Sequence, residues 1–261
     1  LPSLPEQQKI ASFLSSVDKK IDLLRQKKDA LELYKKGLVQ KIFSQKIRFK
    51  QDDGSDFPDW EEVVLGDYSR FLLTNSLSRS DLDTDGVVQN IHYGDIHTRF
   101  SSQYDQHVET TPAHPDLEVA VKLHEKNQLK RGDIVIADAS EDYADIGKTI
   151  EIIRISDTPL FAGLHTIVVR PDSNKFTVGF GSYLFQSTEV RRQIHRLAQG
   201  AKVLGLSKGN VQSLLLSLPC LDEQKKIAAF ISAVDRRTNK LVHVIEHMEI
   251  FKKGLLQQMF V

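Results

Sequence analysis

The 261-residue chain carries 35 basic and 35 acidic side chains, so its formal net charge is zero and no global basic field marks a nucleic-acid binder. Hydrophobic residues make up 40% of it, which excludes a disordered chain, yet no run approaches the ~18 apolar residues a membrane helix needs. The single cysteine, Cys220, excludes an internal disulfide, and with no signal peptide in view a reducing, cytoplasmic location without membrane attachment is expected.

Residues 1–50 begin LPSLPEQQKIASFLSSVDKKIDLL, a helical stretch already under way at Leu1, as expected for a piece of a longer or trimmed protein. The same stretch returns near the other end. A shift of 217 lays residues 1–44 on 218–261 without a gap, with about 20 of 44 positions identical, including Glu6/Glu223, Gln7/Gln224, Asp18/Asp235, Gly37/Gly254 and Phe43/Phe260. In the first copy Ile10, Leu14, Val17, Ile21, Leu24, Leu31, Leu38 and Ile42 recur at alternating steps of four and three, a coiled-coil seam. The second seam runs Ile227, Ile231, Val234, Leu241, Ile245, Met248, Leu255 and Met259. Polar residues interrupt both seams: Lys28 and Lys35 in the first, Thr238 and Lys252 in the second. Pro5 suits a first helical turn, Asp222 a cap, and Glu6 and Glu223 the positive end of the helix dipole. Gly37 and Gly254 lie inside the pattern, where glycine costs about 1 kcal/mol relative to alanine, so close backbone packing is expected there. About 40 helical residues span roughly 60 Å. If the two helices pair, chain direction makes them antiparallel, with the intervening domain at one end; the alternative is two ordinary core helices.

The stretch between them, 51–217, reads as a separate α+β domain, giving three regions, 1–50, 51–217 and 218–261. Residues 51–60 form a charged linker. Trp60, Val63 and Leu65 open the domain, with a turn at Gly66-Asp67 and a polar loop over 74–86. Residues 87–96 alternate and read as a strand ending at Gly94-Asp95. Residues 97–120 are irregular, Pro112 and Pro115 arguing against a regular element. Strands are expected at 134–137, 151–155 and 165–171, with a polar loop over 141–149. Residues 179–199 read as one helix with Tyr183, Leu184, Val190, Ile194 and Leu197 inward and Arg191, Arg192 and Arg196 on the solvated side. A glycine-punctuated loop and a short helix or strand complete 200–219. Charge is uneven: residues 1–50 carry about +7, 51–150 about −13, 151–217 about +4 and 218–261 about +2.

No enzyme motif emerges. The chain lacks a phosphate-binding G-x-x-x-x-G-K-[ST] loop, a G-x-G-x-x-G turn and any Pro-Pro pair, and its nine histidines fall into no metal-ligand spacing, so neither catalytic nor metal residues are assigned. Three polar stretches are candidates for recognition. They are 90–95 with His92 and Tyr93, 138–148 with Ser140, Tyr143 and Lys148, and 200–210 with Lys202, Ser207, Lys208 and Asn210. The last has the Gly, Lys, Ser and Asn mix suited to phosphates and base edges. The acids of 138–145 would repel phosphate unless they accept from cytosine amino groups. Each stretch also reads plainly, as a strand end, solvated surface or a connector.

The LPxLxEQxKIAxFLSxxD pattern at both ends, the KKGLxQxxF tails, and the interior segments NIHYGDI, LKxGDIVIADAS, LHTIVVRP and GxKVxGLSKxxV resemble type I restriction–modification specificity subunits over essentially the whole chain. Ala201 departs from the family's frequent Thr. The resemblance implies a non-catalytic subunit. Its target recognition domain reads one half of a split target in double-stranded DNA, and its helices dock methyltransferase subunits. Those partners bind S-adenosylmethionine, so no cofactor is expected in this chain, and restriction subunits would join indirectly. A complete family member has two recognition domains; this chain resembles the C-terminal half of one, or a half-sized subunit acting as a homodimer or with a second half-subunit. A ~60 Å rod is a little under two turns of B-DNA, which suits two half-sites on one face. A protein-interaction scaffold with a coiled-coil rod, favoured by the acidic 51–150 segment, is the competing reading, and an enzyme with an unrecognised site the third.

Overall fold

The computed structural model describes residues 3–116 and 125–259, without the side chain of Met259. Leu1, Pro2, Phe260, the Met259 seam side chain and residues 117–120 of the irregular stretch therefore lie outside the described residues. Two compact units are present: the described residues of Leu1–Lys41 with Ala229–Val261, and Ile42–Ala228.

The first unit is built from two long helices, α1 (Leu4–Phe43) and, last in the chain, α6 (Leu221–Met259). Among the described residues four α-helices lie between them and are named below. The helices pair antiparallel: Asp18 meets Lys252 at 2.5 Å, Arg25 meets Glu249 at 2.6 Å and Lys35 meets Asp235 at 2.6 Å, one number falling as the other rises. Seam residues Val17 and Ile21 cluster with Ile245, and Leu24 and Met248 pack against them. Val17, Ile21, Leu38, Ile231, Val234 and Ile245 are buried; Ile10, Leu14, Leu24, Leu31, Leu241, Met248 and Leu255 are half-buried.

The seam's polar interruptions have an explanation in the repeat. Under the shift of 217, Asp18 becomes Asp235 and Lys35 becomes Lys252. The Lys35–Asp235 and Lys252–Asp18 pairs are therefore one contact made twice, related by a pseudo-twofold axis. Each lysine takes its helix's seam position to reach the other helix's aspartate. Thr238 is buried and turns its hydroxyl onto the Val234 carbonyl, while Lys28 pairs with Glu32 on its own helix. The expected close packing at Gly37 and Gly254 is absent: a Cβ at either would meet nothing within 4 Å among the described residues.

The second unit is mixed α and β. In chain order its strands are β1 (Glu61–Val64), β2 (Ser69–Leu72), β3 (Val88–Ile91), β4 (Gln103–Asp105), β5 (Ala113–His114), β6 (Ile134–Ala137), β7 (Ala139–Ser140), β8 (Thr149–Arg154), β9 (Leu160–Ala162), β10 (Thr166–Pro171), β11 (Leu204–Gly205) and β12 (Leu215–Leu218). Its short helices are α2 (Tyr93–Thr98), α3 (Gly181–Leu184), α4 (Thr188–Leu197) and α5 (Lys208–Gln212). A five-stranded sheet runs β2-β10-β6-β8-β4, and β5-β3-β9 form a three-stranded sheet. The pairs β1-β12 and β7-β11 are two-stranded. Ile91, Ile96, Phe100, Tyr104, Val135, Ile150, Ile152, Leu160 and Val168 share one core cluster. Each aliphatic side chain of this kind contributes about 1.5–3 kcal/mol when fully buried.

Several expectations need correction. The strand over 87–96 stops at Ile91, because His92 caps α2 by accepting the Gly94 N–H on Nδ1 at 3.1 Å. Pro112 and Pro115 do not exclude a strand: the two-residue β5 fits between them. The helix over 179–199 is broken at Phe185–Ser187, where the Ser187 hydroxyl caps α4 by accepting from the Val190 N–H. Arg191 is not on the solvated side: it donates to the carbonyls of Ile146 and Ala144 at 2.7 Å each.

The Glu-Gln dipeptide of the second repeat is fastened into this unit. Glu223 is fully buried and accepts from Arg48 Nε at 3.2 Å, Arg48 Nη2 at 2.8 Å and Trp60 Nε1 at 3.1 Å. Gln224 accepts from the Thr177 N–H and donates to the carbonyls of Lys175 and Pro219. Phe43 packs on Trp60 and Phe180. The unit is thus wider than 51–217, since residues from both long helices serve it. In the first copy Glu6 is exposed and, among the described residues, accepts from Ser3 through its N–H and hydroxyl.

Candidate nucleic-acid interface

The three polar stretches converge on β7. Leu204 and Gly205 of β11 pair with Ser140 and Ala139, which brings 200–210 against 138–143. His97 of α2 bonds through Nε2 to the Ala139 carbonyl at 2.9 Å, and Lys148 donates to the His97 carbonyl at 2.7 Å, so the 90–98 segment joins them. Backbone bonds fix the junction: the Asp138 N–H donates to the His165 carbonyl, and the Leu206 N–H donates to the Asp138 carbonyl at 2.8 Å.

Four rings gather beside that junction. Tyr93 lies 4.6 Å from His92, 5.2 Å from His165 and 6.1 Å from His97, centroid to centroid. Because the Ala139 carbonyl can only accept, His97 carries its proton on Nε2, and its Nδ1 is a buried acceptor with no partner among the described residues. His92 accepts on Nδ1, so its remaining N–H is on Nε2; burial lowers its pKa, with the Asp95 carboxylate opposing. His165 Nδ1 sits 3.3 Å from Asp138 Oδ1. Burial raises the Asp138 pKa and His165 pulls it back. His165 holds φ at +58°, an uncommon conformation for a non-glycine residue and a form of strain that clusters at functional sites.

The candidate residues fare unequally. His92 and Tyr93 are half-buried members of the ring cluster. Ser140 is buried, its hydroxyl donating to the Asp142 carbonyl and accepting the Asp142 N–H, so it shapes the turn rather than facing outward. Tyr143 is exposed and lies 4.4 Å from the His195 ring. The pKa of His195 is lowered, first by burial and then by Arg191, which approaches its Nε2 at 3.0 Å. Lys148 ties the loop to α2. Lys202 and Lys208 are exposed, Lys208 with its ammonium 5.6 Å from the Phe71 ring. Ser207 caps α5 by accepting from the Asn210 N–H, and the Asn210 amide donates to the Leu197 carbonyl. Neither His165 nor the folding of Arg191 into the loop was read from the sequence. The left-handed His165 carries no sequence mark, whereas the repeated imidazoles at 92, 97 and 165 were visible.

Among the described residues no group of three or more His, Cys, Asp or Glu is placed to hold a metal ion, and no helix is long and apolar enough to cross a membrane.

The fold is similar to that of the S subunit of a type I restriction–modification system from M. genitalium (TM-score 0.59, 15% identity, 99% of this chain and 62% of that one). It is likewise similar to the HsdS subunit of Thermoanaerobacter tengcongensis (TM-score 0.57, 16% identity, 100% and 59%). The family described as type I restriction modification DNA specificity domain matches residues 1–33 and 59–247, and the chain belongs to that family. Two curated proteins of Methanocaldococcus jannaschii are similar in sequence. They are the putative type I restriction enzyme MjaX specificity subunit (25% identity, 90% of this chain and 52% of that protein) and the MjaVIII specificity subunit (27%, 98% and 59%). The chain spans between half and three fifths of the length of these curated relatives.

Proposed function

We propose that this chain supplies DNA specificity to a type I restriction–modification methyltransferase and performs no catalysis itself. Residues 42–228 read one half of a bipartite duplex target. The helix pair sets the spacing to a second recognition domain, from another copy or another half, and docks methyltransferase subunits that bind S-adenosylmethionine. Restriction subunits join through that complex. The observation that carries the reading is the convergence, on β7, of three polar segments from distant parts of a specificity-family chain. Supporting the docking role, Leu33 and Tyr34 of α1 and their repeat mates Ile250 and Phe251 are all exposed. Each pair lies one turn from an open glycine, Gly37 or Gly254, so the same apolar face is presented twice.

Light scattering on the purified chain, alone and with its methyltransferase, tests this. The expected result is a dimer near twice 29.6 kDa that takes up two methyltransferase subunits. A monomer that binds no methyltransferase contradicts the docking role.

A further inference from the structure

Asp138 occupies a built position. Its backbone is held from both sides, by the His165 carbonyl and the Leu206 N–H, so the carboxylate cannot drift with a loop. Its side chain is 28% exposed, and one oxygen, Oδ1, faces His165 Nδ1 at 3.3 Å. The other, Oδ2, has no partner among the described residues. In the neutral ring with its proton on Nδ1, His165 turns that N–H towards Oδ1 and keeps Nε2 as an acceptor. The strained backbone of His165 places its ring between Asp138 and the Tyr93 ring, 5.2 Å away. This corner therefore presents acceptors in fixed positions. A phosphate has no donor to offer such a corner; among major-groove edges, the amino groups of cytosine N4 and adenine N6 do.

We propose that the Asp138–His165 pair is a specificity determinant that reads the exocyclic amino group of one base, cytosine or adenine, in the half-site. Asp138 is the contacting acceptor, and His165 is the positioning residue that orients it. This rests on the DNA-reading function proposed above.

The test is selection of duplexes from a randomised pool by the full chain, by Asp138→Asn and by His165→Gly. Asp138→Asn keeps the size and an oxygen facing His165 but turns the free atom from acceptor into donor. Its preference at one position is expected to move from C or A to G or T, which carry carbonyl oxygens there, with the other positions unchanged. Affinity for the original site should fall roughly 5- to 30-fold. His165→Gly suits a positive φ and so keeps the backbone; it should flatten the preference at that same position without switching it. The wild-type choice of C or A identifies the base. A selective wild-type whose preferences survive both substitutions overturns this proposal and leaves the DNA-reading function standing. A wild-type that selects nothing overturns the DNA-reading function, and this inference with it.

Discussion

Arg48→Ala is expected to be among the most damaging single changes to the 42–228 unit, although Arg48 lies in an irregular stretch just after α1. Its guanidinium donates twice to Glu223, once each to the carbonyls of Phe57 and Pro58, and is 24% exposed. Glu223 is fully buried and, among the described residues, retains only Trp60 Nε1 as a side-chain donor once the arginine is gone. Leaving one member of a buried ion pair behind costs about 3–5 kcal/mol. Because water reaches the vacated side, the low end, about 3 kcal/mol, is expected. For a unit of this size that is a fall in Tm of about 6–12 °C. Urea denaturation followed by circular dichroism measures it. Arg48→Met with Glu223→Leu removes both charges and should recover most of the loss, since an apolar replacement of a buried pair is often neutral. Glu6→Gln, at the equivalent position of the first repeat, should leave the midpoint unchanged, because Glu6 is exposed. A loss from Arg48→Ala below ~1 kcal/mol, or a double variant no better than the single, would falsify the latch argument.

Two further outcomes follow from the same reasoning. Lys35→Glu sets like charges across the helix pair and should destabilise it by about 1–2 kcal/mol, and adding Asp235→Lys should restore it; chemical denaturation of single and double variants checks both. Glu151 is buried, accepts the N–H groups of Gly179 and Ser182, and has its pKa pushed up to about 7, burial outweighing those bonds. A raised carboxyl costs stability only when ionised. The penalty is therefore absent below the ordinary value of 4.5, grows as pH rises towards 7 and is constant above, reaching about 3 kcal/mol at about 1.4 kcal/mol per pKa unit. Comparing the pH dependence of stability with that of Glu151→Gln isolates this slope, which the variant should lack.

The long helices were legible because a seam repeated over some 40 residues leaves only one face to bury, and every seam side chain named between Ile10 and Leu255 and described here is at least half-buried. The seam lysines were legible as breaks but not as partners, since the crossed pairing with Asp18 and Asp235 needs the antiparallel register as well as the repeat. The strand at 134–137 showed as a run of four apolar residues, all buried. The strand end at His92 and the break before Thr188 did not show, because each is decided by one side chain capping its own backbone, which outweighs the flanking pattern. For the candidate site, sequence offered three polar stretches without saying that they meet. That depends on the two-residue pairing of β7 with β11 and on one imidazole–carbonyl bond, both far apart in the chain. Arg191 was misplaced for a related reason: helical periodicity put it outward, and the 141–147 loop then folded over it.

Equilibrium binding across salt concentrations is the most direct test of whether the 42–228 unit reads DNA sequence. The purified chain would be titrated with a duplex bearing its selected half-site and with a scrambled duplex of equal length. The expected result is a preference of roughly 10²-fold for the selected duplex, as three mismatched pairs at about 1 kcal/mol or more each would give, with affinity for both falling as salt rises. Equal affinity for the two duplexes, or no binding at low salt, would contradict it.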